Sequence, residues 1–141
     1  MPLKFMTMPP MRDTLAGILR DPLFRKLCFR GAIALYALIV IGGSLPGARE
    51  DIGEYASGLI LHSLAYAVLG FLLFAGTLGG ERTRAAKTVL TVALMGAFDE
   101  YVQSFFPYRT ASLGDWLVDV GAGIVVSTLL WAFWPPPDEA G

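Results

Sequence analysis

The chain reads as an all-α membrane protein, a four-transmembrane-helix bundle preceded by an N-terminal amphipathic interfacial helix. Three observations predict this class. Hydrophobic residues make up 55% of the 141 and charged residues only 16%, with a mean hydropathy of +0.57. A soluble chain carries roughly 25% charged residues. The apolar residues gather into four runs, each close to the ~20 residues that cross a hydrocarbon core. These runs are too long for strands and lack period-two alternation. The net charge of −1 gives no global attraction to nucleic acid, so no nucleic-acid partner is expected. The single cysteine, Cys28, excludes an internal disulfide and a thiolate zinc cage. It is expected to be a buried, inert thiol at the start of the first membrane helix.

Residues 1–26 form the predicted interfacial segment, 27–134 the membrane domain and 135–141 a short cytoplasmic tail. The first segment places no early apolar core and no small-residue cleavage site, unlike a secretory signal. Pro9 and Pro10 precede an amphipathic piece in which Leu15, Ile18, Leu19, Leu23 and Phe24 recur at helical spacing. Arg12, Arg20, Arg25 and Lys26 lie between them. This pattern suits a helix lying in the interface, apolar side down and basic side towards anionic lipid. Asp21-Pro22 is expected to break or restart it.

The first run, about Leu27 to Leu45, ends at Gly42, Gly43 and Pro46, with Arg30 placed to snorkel. The second, about Tyr55 to Leu78, holds one ionisable residue, His62, and closes at Gly79-Gly80. The third, about Lys87 to Phe106, is apolar up to Phe98 and then turns acidic before Pro107. The fourth, about Leu113 to Trp134, begins with two aspartates and ends in Trp131, Trp134 and a triple proline. Nine of the 11 Lys and Arg lie before or at the entry of the first run, or between the second run and the entry of the third; only Arg49 and Arg109 fall opposite. The positive-inside rule therefore predicts a multi-pass protein with both termini and the 79–87 loop cytoplasmic.

His62, Glu100 and Asp119 each lie about 10 Å below the outer boundary by helix rise, so three helices contribute polar groups to one layer. His62 with Tyr66, Glu100 with Gln103, and Asp115 with Asp119 are three or four apart and share faces. The third helix continues that face through Ala97, Gly96 and Ala93, the fourth through Gly123 and Ser127, and such small residues allow close helix approach. Arg109, on the short connection between these two helices, is expected to fold over Glu100 or Asp115. Ser112 and Asp115 are both candidates to cap the last helix. The predicted polar pocket thus comprises His62, Tyr66, Glu100, Gln103, Arg109, Asp115 and Asp119. Intramembrane ionisable groups are functional candidates by default, although the cluster also serves to glue helix ends together. His62 and Glu100 together have the makings of a general acid–base pair. No clear nucleophile accompanies them, as Ser63, Ser104 and Ser112 have no distinguishing context. No HExxH or CxxC pattern supports a metal, and no cofactor is expected.

The spacing Glu100-x2-Gln103-x3-Pro107-x-Arg109-x2-Ser112-x2-Asp115-x3-Asp119-x-Gly121 resembles the signature of the VanZ-like membrane proteins. His62-x3-Tyr66 resembles the histidine and tyrosine on that family's preceding helix, and the likeness covers roughly residues 30–133. Two positions depart from the pattern. Asp119 stands where the family usually has Asn, and Gly58-Leu59 stand where Asp-Lys commonly precedes the histidine. The resemblance implies a small multi-pass membrane protein, and the family's namesake is linked to resistance to the lipoglycopeptide teicoplanin. Two functions follow as expectations. One is recognition of a cell-envelope lipid, lipoglycopeptide or other amphiphile at the outer leaflet, with Arg109 on an anionic group, and no enzymatic step is required. The other is an accessory subunit of a larger membrane complex, docking through Phe71, Phe74, Trp131, Phe133 and Trp134 unless these simply face lipid.

Overall fold

Asp21-Pro22 ends one helix and starts the next. In the computed structural model, which describes residues 11–47 and 58–135, α1 (Met11–Arg20) stops at Asp21 and α2 (Pro22–Ser44) begins with proline in its first turn. The Asp21 carboxylate accepts from the backbone N–H groups of Leu23 at 2.6 Å and Phe24 at 3.3 Å. This satisfies donors that the helix start leaves unpaired, while proline lacks an N–H to lose. α3 (Gly58–Gly76), α4 (Glu81–Gln103) and α5 (Leu113–Phe133) complete the described residues, which contain no strand. The expectations for residues 1–10, for the loop holding Arg49, for the start of the second run at Tyr55 and for the tail after Pro135 lie outside the described residues.

Among the described residues, three helices are long and apolar enough to cross a membrane: Pro22–Ser44, Leu59–Gly76 and Leu113–Phe133. α4 matches them in length, at 23 residues, but not in composition. Its first turns carry Arg82, Arg84 and Lys87, and it ends with Asp99 and Glu100. Its mixed composition, acidic after Phe98 as its sequence predicts, sets α4 apart from the other three. α4 also starts six residues before the expected Lys87, because Gly80 leads directly into the helix. Beyond Lys87 its outer face is hydrophobic, with Leu90, Leu94, Phe98 and Tyr101 exposed and Phe105 continuing the line past the helix end.

The long helices neighbour one another in the order α2, α3, α5, α4, with lighter α2–α4 contact closing the ring and α3–α4 contact across it. α1 packs chiefly on α2, leaving Leu15 and Ile18 exposed. Inside the ring, Ala32, Tyr66, Leu69, Leu73 and Val92 form the buried core, with Leu35, Met95 and Ala122 against it. The Tyr36 hydroxyl donates to the Met95 carbonyl at 2.9 Å and ties α2 to α4. Cys28 is buried, as expected for an inert thiol.

Glycines set how closely the helices approach. A Cβ on Gly76 would lie 2.8 Å from the backbone nitrogen of Phe29 and 2.9 Å from its Cα. α2 and α3 therefore cross there backbone to backbone. A Cβ on Gly123 would lie 2.9 Å from Val92 Cγ1, so α4 and α5 mesh a glycine against a β-branched residue. One turn to either side the antiparallel pair sets Gly96 against Asp119 and brings up the buried hydroxyls of Thr88 and Ser127.

The basic end of the bundle closes around Arg84. Its Nε donates to the Phe74 carbonyl at 2.9 Å, and its guanidinium lies 4.5 Å from the Phe74 ring centroid and 4.3 Å from that of Trp134. Phe74 is fully buried and Trp134 half-buried, which corrects the expectation that both present exposed aromatic faces. Arginine fits such a slot because its planar, weakly hydrated cation stacks on π faces. Trp131 and Phe133 do remain exposed.

Substitution by alanine should rank the glycine contacts. Gly76→Ala meets immovable backbone and should cost about 1–3 kcal/mol. Gly70→Ala meets only ordinary contacts at 3.7–3.8 Å and should be neutral or mildly stabilising through helix propensity. Unfolding in mixed micelles reads the order, and equal stability of the two variants would refute the backbone crossing.

Candidate functional site

At the other end of the bundle, polar side chains from α3, α4, α5 and the α4–α5 connection meet. His62 Nδ1 on α3 lies 3.0 Å from Asp119 Oδ1 on α5. Asp119 is 0% exposed and the imidazole 13%. A wholly buried carboxylate thus orients a partly accessible ring; with the proton on Nδ1 directed to Asp119, Nε2 is left as an acceptor. Tyr66, one turn along α3, stacks parallel to His62 with ring centroids 6.3 Å apart and interplanar angle 3°. His62 is in electrostatic contact with Asp119, Asp115 and Asp99, and Glu100 with Asp115, Asp99 and His62. The co-layering expected from helix rise is therefore what the fold produces for His62, Glu100 and Asp119.

Other expected pairings are replaced. The contact Arg109 makes was not foreseen: its Nη2 donates to Gln103 Oε1 at 2.5 Å. Glu100 instead accepts the Ser112 backbone N–H through Oε2, at 2.5 Å. Ser112, rather than Asp115, is the N-cap of α5, its hydroxyl accepting from the Asp115 N–H at 3.2 Å. Both exchanges have one cause. The connection folds back far enough to lay its own backbone on Glu100, and that leaves the guanidinium nearer the amide of Gln103. One arm of each of these two side chains thus pins the hairpin. Trp116 pins it further in, its Nε1 donating to the Ala93 carbonyl at 2.9 Å.

One participant was missed by the face assignment. Asp99 is only 1% exposed and electrostatically engages Tyr66, His62 and Arg109. It sits one turn before Gln103, against α2 at Gly43, where a Cβ would come 3.1 Å from Gln103 Nε2 and 3.6 Å from Asp99 Oδ1. The buried face of α4 runs Thr88, Val92, Gly96, Asp99, Glu100, Gln103, while Ala97 is exposed. The i, i+4 relation of Asp99 to Gln103 was the available signal.

Several atoms of the cluster have no hydrogen-bond partner among the described residues: Tyr66 Oη, Asp99 Oδ1, Glu100 Oε1, Arg109 Nε and Asp119 Oδ2. Buried polar atoms are nearly always paired with protein or water, so this set marks the place where the fold does not satisfy itself. No three His, Cys, Asp or Glu side chains converge to hold a metal ion among the described residues. Ser104 donates its hydroxyl proton to the Tyr101 carbonyl, and Ser112 is occupied as a cap. Neither is placed as a nucleophile.

Removing either partner of the His62–Asp119 contact should be unequal in effect. His62→Ala strands a buried carboxylate and should lower stability by about 2–4 kcal/mol. Asp119→Asn keeps an acceptor oxygen for Nδ1–H and should cost under about 1 kcal/mol. Equal losses in a reversible unfolding assay would show that the pair does not hold the helix ends together.

No curated protein and no solved structure matches the chain. The sequence profile of the VanZ/LLP1 family, however, matches residues 44–134, a stretch that takes in α3, α4, α5 and every side chain of the cluster. The chain belongs to the VanZ/LLP1 family.

Proposed function

We propose that this is a four-pass membrane protein of the bacterial inner membrane whose acidic end faces outwards and binds the polar head group of a cell-envelope amphiphile. α4 supplies the fourth crossing. Its 23 residues extend about 35 Å at 1.5 Å per residue, and it runs antiparallel between the short connections to α3 and α5. Its charges suit that position: Asp99 and Glu100 are buried inside the ring, and its arginines lie at the basic end. With the basic end cytoplasmic, both termini are cytoplasmic and the His62 cluster lies under the outer interface.

The observation that carries the binding role is the set of unsatisfied buried atoms around the His62–Asp119 contact. A head group inserted among them would complete their hydrogen bonds. Arg109 Nε and the Tyr66 hydroxyl would meet its anionic part, while the carboxylates would meet its donors. Gln103, Asp115 and Asp119 shape the site rather than react, in keeping with a binding role and no enzymatic step. The namesake's glycopeptide resistance would then reflect recognition of an envelope component.

The aromatic ridge of Phe98, Tyr101 and Phe105, whose successive ring centroids are 6.4 and 4.9 Å apart, favours a second reading as an accessory subunit. That ridge lies on the outside of α4 and would face a neighbouring protein. Co-migration of further subunits in stoichiometric amount through mild-detergent purification would support it.

A topology reporter joined after residue 141 should be active only in its cytoplasmic form, and a periplasmic signal would overturn the orientation. Tyr66→Phe and Arg109→Ala, which leave the His62–Asp119 contact intact, should change envelope-lipid binding or glycopeptide susceptibility while the protein is still inserted normally. Unchanged binding and susceptibility in both would overturn the head-group reading.

A further inference from the structure

At the basic end of the bundle, Arg84 is held in place but left electrically unpaired. Phe74 and Trp134 pack against its guanidinium, and the Phe74 carbonyl accepts from Nε. No carboxylate forms an ion pair with it among the described residues. Glu81, one turn earlier on α4, acts on it only through space. The terminal nitrogens of Arg84 are neither bonded to described residues nor enclosed. An arginine stays charged at any working pH, and a half-buried cation without an anion is costly.

A second guanidinium deepens the imbalance. Arg25 lies one turn before Phe29 on α2, and Phe29 is where α2 crosses α3 backbone to backbone at Gly76. That crossing carries Arg25 to the end of α3 and the start of α4, where the positive charges of Arg25 and Arg84 act on one another. Arg25 is half-buried, and its side chain has no ion-pair partner among the described residues. Asp21, four residues before it, is already engaged by the N–H groups of Leu23 and Phe24. The packing of three helices thus brings two arginines together with no paired carboxylate, and that arrangement suits an anion.

The surroundings narrow the kind of anion. Leu78, whose carbonyl accepts from Lys87 Nζ at 3.4 Å, is exposed. Trp131 is exposed as well, with the Arg82 guanidinium 5.8 Å from its ring centroid. Fixed cations among exposed leucine and tryptophan match the layer in which lipid phosphates meet acyl chains. The planar fork of arginine also fits phosphate oxygens.

We propose that the basic end holds an anionic phospholipid of the adjoining leaflet, its phosphate bridging Arg25 and Arg84. This site lies at the opposite end from the His62 cluster and does not depend on head-group binding there. It takes from the proposed function only that the basic end lies at a membrane surface.

Native mass spectrometry of the full chain released from nanodiscs tests this by comparing phosphatidylglycerol with phosphatidylcholine of the same acyl chains. Phosphatidylglycerol should be retained preferentially. Arg25→Gln should cut that preference about fivefold, the effect of one basic residue at an anionic surface. This variant is the diagnostic one because Arg84 also holds the aromatic clasp, whereas the Arg25 side chain fastens no other element. Lys26→Gln removes the same charge from the exposed neighbouring position and should leave the preference nearly unchanged. Equal retention of the two lipids by the unaltered protein overturns the proposal. So does an equal loss in Arg25→Gln and Lys26→Gln, which a diffuse basic surface would produce. Displacement of the lipid by inorganic phosphate assigns the arginines to a free anion and overturns the lipid assignment. A preference that emerges only when Asp138→Asn is combined with Glu139→Gln shows that acidic residues of the chain itself neutralise the arginines, and it overturns the proposal too.

Discussion

Everything at the acidic end of this bundle depends on how an apolar setting treats ionisable side chains. Asp99, Glu100 and Asp119 are all buried, and each is tolerable only to the extent that something donates to it. Asp119 receives His62, and Glu100 receives the backbone of Ser112. These two contacts join α3 to α5 and fasten the α4–α5 connection over the helix ends. The remaining oxygens, Asp119 Oδ2 and Glu100 Oε1, have no hydrogen-bond partner among the described residues. Within these single side chains one oxygen holds the fold while the other is left without such a partner.

The helices can bring these groups together because small residues lie beneath them. Gly96 admits Asp119 and Trp116, and Gly123 admits Val92. In lipid, close packing of this kind replaces the hydrophobic driving force that holds a soluble bundle. The ring order also explains why α4 carries charge on so wide an arc. It touches α2, α3 and α5, so Asp99 and Glu100, adjacent in sequence and about 100° apart around the helix, both find an interior to face.

Much of the fold was legible in the sequence. The apolar runs located all four long helices, Asp21-Pro22 located the break before α2, and Ser112 was recognised as a cap candidate. Within the site, the depth argument brought His62 to Asp119 correctly, since rise per residue and a shared face suffice for two straight helices. It failed where a third neighbour or a loop decided the outcome. Asp99 was missed because treating α4 as having one buried face leaves no room for contact with α2 at Gly43. The partner of Arg109 depended on how residues 104–112 fold back, which no periodicity encodes. Phe74 looked like a surface aromatic because its burial is produced by Arg84 and Trp134, residues distant in the chain.

The Arg84 clasp bears on how the bundle comes together. Phe74 precedes Arg84 by ten residues, but Trp134 follows it by fifty and lies beyond all four long helices in the chain. During synthesis the guanidinium therefore has only half of its aromatic slot until the last helix has been delivered. Trp134 then acts as a latch, and the order of the sequence ensures that it closes last.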